Sequence, residues 1–131
     1  MKLAAHSRNK LLQTFEDWQV SRDFAEPMYN YLVYGWSPGG CFSSVLANDF
    51  AGAISRSHPS NTIGMFKALV GWIDSTVPEE AHGSYEKVKC WCNINEEQRR
   101  IILEHHRLVY SEHDEIMLVL KGEGTVEPHL Y

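Results

Sequence analysis

The chain is poor in most features that would place it in a specialised class. No apolar run approaches the roughly 20 residues that a membrane-spanning helix needs, so no membrane partner is expected. Three cysteines, Cys41, Cys90 and Cys92, make an odd count with two of them one residue apart. That spacing excludes a disulfide scaffold. There is no Cys-x-x-Cys pair, and on a helix Cys90 and Cys92 project about 200° apart, so a zinc knuckle is excluded too. Two glycines precede Cys41, but no Lys-Ser or Lys-Thr follows them, which rules out a nucleoside-triphosphate loop. The first residues form no apolar signal segment. With reduced thiols, this predicts a cytoplasmic protein.

Positive charge is scarce as well. Lys and Arg number 12 against 17 Asp and Glu, for a net charge of −5. Residues 1–78 balance six bases with six acids, whereas residues 79–131 set six bases against eleven acids. Phosphate backbones repel such a surface, and no basic stripe with interleaved aromatics offsets it. Direct nucleic-acid binding is therefore not expected. A basic patch on a protein, including one that itself grips nucleic acid, is the better electrostatic match.

What is present is helical punctuation. A first helix is expected from Ser7 to Phe24, with Leu11, Leu12, Phe15 and Trp18 on its stripe and a weak point at Val20-Ser21. Pro27 suits the start of a second, Met28 to Tyr34, and Gly35 its C-terminal cap. After Ser37-Pro38-Gly39-Gly40, a third places Phe42, Leu46, Phe50 and Ala53-Ile54 at helical spacing and ends near Ser57. Asn61 or Thr62 can cap a fourth through Ile63, Phe66, Val70, Ile73 and Val77, which Pro78 stops. Ser84 can cap a fifth through Tyr85, Val88 and Trp91. Asn95, with Gln98 three residues on, opens a sixth carrying Ile101, Ile102, Leu108 and Val109.

The segment 115–121 is short and continuously apolar, so periodicity leaves it open between helix and strand; Ser111 and Asp114 tip it towards helix. The fold class expected is all-α: a compact bundle of five to six short helices forming one domain over 1–121, with a loose tail at 122–131.

Chemistry is hard to place on this frame. Glu104, His105, His106, Glu112, His113 and Asp114 gather the metal-binding residue types, yet adjacent histidines diverge by about 100° on a helix and His106 and His113 are two turns apart. Neither spacing fits a zinc signature, so no metal, no cofactor and no catalytic residue is expected. Cys41 falls in the first turn of an expected helix, where the dipole would lower a thiol pKa. A base for it, His58 or His82, could come only through the fold. The turn Gly39-Gly40-Cys41, together with Arg56, could cradle an anion on backbone N–H groups. It also reads as a tight interhelical turn with one glycine at positive φ.

Aromatic density is more telling. Tyr29, Tyr31, Tyr34 and Trp36 fall within eight residues. A helix of seven residues cannot bury all four on one face, and exposed Tyr and Trp suit a binding surface.

Tyr31-Leu32, Gly35-Trp36-Ser37-Pro38-Gly39-Gly40, Leu46-Ala47-Asn48-Asp49, Ala53, Asn61, Pro78, Gly83-Ser84-Tyr85-Glu86-Lys87-Val88 and Trp91 together resemble a set of small proteins encoded by tailed bacteriophages and prophages. The resemblance spans about residues 28–92. It implies a phage context without enzymatic activity, in the cytoplasm of a host cell, where small acidic phage proteins bind host machinery and inhibit CRISPR–Cas and other defences.

The expectation is a non-enzymatic protein that binds a host protein, such as a nucleic-acid-binding defence component. Tyr31, Tyr34, Trp36, Glu96, Glu97, Glu112 and Glu115 are its candidate contacts, and its oligomeric state is left open. The alternative is a small-molecule or nucleotide-signal sponge using Gly39, Gly40, Cys41 and Arg56.

Overall fold

The computed structural model describes residues 3–109. Seven α-helices and one 3-10 turn follow one another, with no strand among the described residues. The fold is all-α, as expected. The ambiguous segment 115–121, the tail 122–131 and residues 111–114 lie outside the described residues. No helix among those described is long and apolar enough to cross a membrane.

The helices outnumber the expected five to six because a left-handed residue, Asn48, splits one expected helix in two; another, Gln19, moves the boundary between the first two. Helix α1 (Ala5–Asp17) ends at Trp18, and Gln19 follows at φ 56°. The Val20 N–H then donates to the Phe15 carbonyl at 2.9 Å, and the Val20 side chain turns back into the core. Helix α2 (Arg22–Tyr34) begins there, so Pro27 lies inside it instead of opening it. A proline at an interior position costs about 3 kcal/mol. Phe24 supplies the counterweight, packed against Phe42 (5.1 Å) and Phe66 (5.4 Å). Burying such a ring stabilises by about 1.5–3 kcal/mol, which tethers the turn ahead of the proline.

The third expected helix is two. Helix α3 (Gly40–Leu46) stops before Asn48, at φ 63°, and α4 (Phe50–Arg56) starts two residues after it. Asn tolerates the left-handed conformation better than most residues. Asp49 then caps α4, accepting from the Gly52 N–H at 3.0 Å.

Downstream, local signals decide the boundaries. Thr62 accepts from the Met65 N–H at 3.2 Å and opens α5 (Ile63–Thr76). Pro78 leads into the 3-10 turn Glu79–Ala81. Ser84 caps α6 (Tyr85–Asn93). Asn95 and Gln98 cap each other's backbone at the start of α7 (Glu96–His105), at 2.8 and 3.1 Å.

One buried cluster draws on every helix and on the 3-10 turn. Its largest members are Trp72, Trp91 and Tyr31, and each polar tip has a partner, as burial requires. Trp72 stacks on Phe15 at 4.5 Å and donates to Thr14 Oγ1 at 2.9 Å. Trp91 Nε1 donates to the carbonyls of Tyr31 (3.0 Å) and Leu32 (3.2 Å), binding α6 to α2.

Candidate functional site

The aromatic end of α2 is divided between core and surface by helical register. Tyr31 was expected at a partner surface, but it is 1% exposed. Its hydroxyl donates to the Ala81 carbonyl at 2.6 Å, and burial pushes its pKa far up. It is a core residue. Tyr34 is half-buried at the last position of α2, its ring 5.3 Å from Trp36 and 6.4 Å from Tyr29. Trp36 is 60% exposed.

The turn that presents Trp36 is fixed by its backbone. Gly35 caps α2 at φ 69°, its N–H bonded to the Tyr31 carbonyl (3.0 Å) and the Trp36 N–H to Asn30 (3.4 Å). This is a left-handed helix cap closed by two hydrogen bonds, and glycine is its natural occupant. Beneath it lies the guanidinium of Arg99, 7% exposed. Arg99 Nη1 donates to the carbonyls of Ile94 (2.6 Å) and Trp91 (3.2 Å), at the negative end of α6. Its Nε is buried without a partner. Nothing in the sequence reading marked Arg99. Its one legible signal is position: four residues before the buried Leu103, it falls on the inward stripe of α7.

Glu96 and Glu97 sit in the first turn of α7 and are exposed. Acids there complement the helix dipole. Arg100 bonds Glu97 and also Glu104 (2.6 Å), and that contact with Arg100 lowers the Glu97 pKa. Through Arg99, on the inward stripe of α7, this helix packs against the Gly35 turn. Glu112 and Glu115 lie outside the described residues.

The glycine turn has a different character. Gly39 adopts φ 90° with open space where a Cβ would be, so it is the tight turn between α2 and α3. Arg56 reaches back beside Gly40, with Cδ 3.3 Å from the position a Gly40 Cβ would take. Its Nη1 donates to Ser44 Oγ at 2.9 Å and lies 3.8 Å from Asp49 Oδ2. Tyr85 completes a network, its hydroxyl donating to Asp49 (2.5 Å) and meeting Ser44 Oγ at 2.9 Å. The Tyr85 hydroxyl and then the Gly52 N–H hold the Asp49 pKa below the usual carboxylate value.

Cys41 does not have the lowered pKa expected at a helix start. Its thiol is half-buried, donates weakly to the Ala53 carbonyl at 3.5 Å, and is pushed up by burial. A protonated thiol is a poor nucleophile.

The histidines separate. His106 Nε2 lies 3.2 Å from Glu80, joining the end of α7 to the 3-10 turn, while His105 meets it ring to ring at 5.3 Å. Among the described residues no three His, Cys, Asp or Glu side chains converge to hold a metal. His113 and Asp114 lie outside them.

No family model, curated protein or solved structure matches the chain.

Proposed function

We propose that this chain is a phage-encoded protein without catalytic activity that binds and modulates a host protein, as an anti-defence inhibitor of the anti-CRISPR type does. The observation that carries the reading is Trp36. A large aromatic stands 60% exposed on a turn fixed by two backbone hydrogen bonds, with Tyr34 behind it. Aromatic anchors of this kind dominate binding energy at protein interfaces. The exposed acids Glu96 and Glu97 in the first turn of α7 favour a basic partner, and Trp36 offers its face to an Arg or Lys.

Pull-down from a host lysate identifies the partner, and the purified pair is then titrated. A stoichiometric complex is expected, weakened at least about tenfold by Trp36→Ala and by charge reversal at Glu96, Glu97, Glu112 and Glu115. Affinity unchanged by both changes would sink the reading.

A second reading is a small-molecule or nucleotide-signal sponge. It rests on Arg56 lying beside Gly40 next to the open Gly39 turn. Asp49, close to the same guanidinium, opposes an anion there. Thermal shift against a nucleotide panel tests it, since ligand at a hundred times its Kd adds about 2.7 kcal/mol.

A further inference from the structure

Helix α4 is the most weakly anchored helix of those described. Each of the others buries at least two residues, whereas α4 buries Ala53 alone. Alanine carries little apolar surface, so its burial stabilises little. Phe50 and Ile54, the larger apolar residues of α4, are 50% and 46% exposed. With seven residues, α4 is also well under the roughly 12 that a helix needs to persist in water without tertiary support.

A polar latch fastens it. Arg56 Nη1 donates to Ser44 Oγ on α3, and the Tyr85 hydroxyl, on α6, donates to the Asp49 carboxylate at the start of α4. The Asp49 carboxylate and the Arg56 guanidinium close over Gly52, where a Cβ would strike both. The backbone adds a bond from the Asp49 N–H to the Ser44 carbonyl at 2.8 Å. This latch meets water, since the Arg56 and Asp49 side chains are 53% and 36% exposed. Ionic contacts in water are individually weak. Against α4 lies Cys41, whose thiol donates to the Ala53 carbonyl at 3.5 Å.

We propose that α4 is a flap over Cys41: residues 49–57 open as a unit, hinged at Asn48, while the rest of the helical core stays closed, and each opening uncovers the thiol. Local opening draws on the segments of a fold with the fewest buried apolar contacts. Asn48 suits the hinge, being exposed and already at φ 63°. The closed flap keeps the thiol partly buried, with its pKa raised by that burial. The open flap returns it to water, so Cys41 reacts as often as the flap opens.

Native-state hydrogen exchange at a series of low denaturant concentrations tests this on the whole chain. The buried Ala53 amide is expected to exchange at least about tenfold faster than those of Leu32 on α2 and Leu69 on α5. Its dependence on denaturant is expected to be shallower, because a small opening exposes little surface. Two variants separate local from global opening. Trp72→Phe weakens contacts with α1 that the open flap keeps, so exchange speeds up at Leu69 and is unchanged at Ala53. Arg56→Met breaks the latch, so exchange at Ala53 rises at least about threefold. Alkylation of Cys41 rises by the same factor, with the exposed Cys90 as the unchanged reference. The denaturant series needs neither variant. An Ala53 amide that matches Leu69 in rate and in denaturant dependence overturns the proposal. So does Ala53 exchange that rises with Leu69 in Trp72→Phe, or exchange or Cys41 alkylation that Arg56→Met leaves unchanged.

Discussion

Gly35 lies directly over the guanidinium of Arg99: a Cβ added to the glycine would sit 2.6 Å from Arg99 Cζ, nearer than Cβ atoms come to any neighbour. The glycine also holds φ 69°. Two requirements, backbone conformation and space, therefore fall on one residue. Gly35→Ala is expected to destabilise the fold by about 1–3 kcal/mol, combining left-handed strain with displacement of the guanidinium. Denaturant unfolding measures it. A loss under about 0.5 kcal/mol would show that the turn yields easily.

Arg99→Met tests the other member of the pair. The substitution keeps a long apolar stem but leaves the Trp91 and Ile94 carbonyls without their donor. A loss of about 2–4 kcal/mol is expected, since buried acceptors stripped of a charged donor bear the desolvation cost. Arg99→Lys is expected to recover part of it.

Trp36→Ala separates binding from stability. The ring is 60% exposed, so unfolding free energy is expected to change by less than about 0.5 kcal/mol. A larger loss would make Trp36 a structural residue and weaken the case for an anchor.

Asp49 gives the fold a dependence on acid. Its folded-state pKa lies below the usual carboxylate value, chiefly through the Tyr85 hydroxyl. Its contribution is therefore complete above the unfolded carboxylate pKa and disappears as pH falls through the depressed folded value. Tyr85→Phe is expected to lower stability at neutral pH and to flatten the acid limb of a stability–pH curve. Carboxylate titration by NMR reads the same change as a rise in the Asp49 pKa towards the ordinary range.

Alkylation ranks the thiols. Cys90 is exposed, whereas Cys41 and Cys92 are partly buried, and burial raises the pKa of both. Iodoacetamide at mildly alkaline pH is expected to label Cys90 first, as followed by peptide mass. Cys41 reacting first would reinstate an activated thiol at the start of α3.

Capping was the part of the fold most readable from sequence. Thr62, Ser84 and Asn95 each open a helix where their side chains predict, because a cap is a bond between residues three apart. The α1–α2 boundary was not readable. Whether Pro27 starts or interrupts a helix depends on Phe24 meeting Phe42 and Phe66, contacts made across the chain. Tyr31 and Tyr34 are chemically alike, and one is sorted into the core by a carbonyl fifty residues away. Arg99 and Arg100 are neighbours in an acidic, polar run that reads as solvated throughout. Their different fates follow from a 100° step in register relative to Leu103.

The closed cap at Gly35 also bears on kinetics. A tryptophan whose backbone is already held by two hydrogen bonds surrenders little main-chain freedom on association. Differences among related partners should then be written in how long complexes last, with encounter rates nearly constant from one to the next.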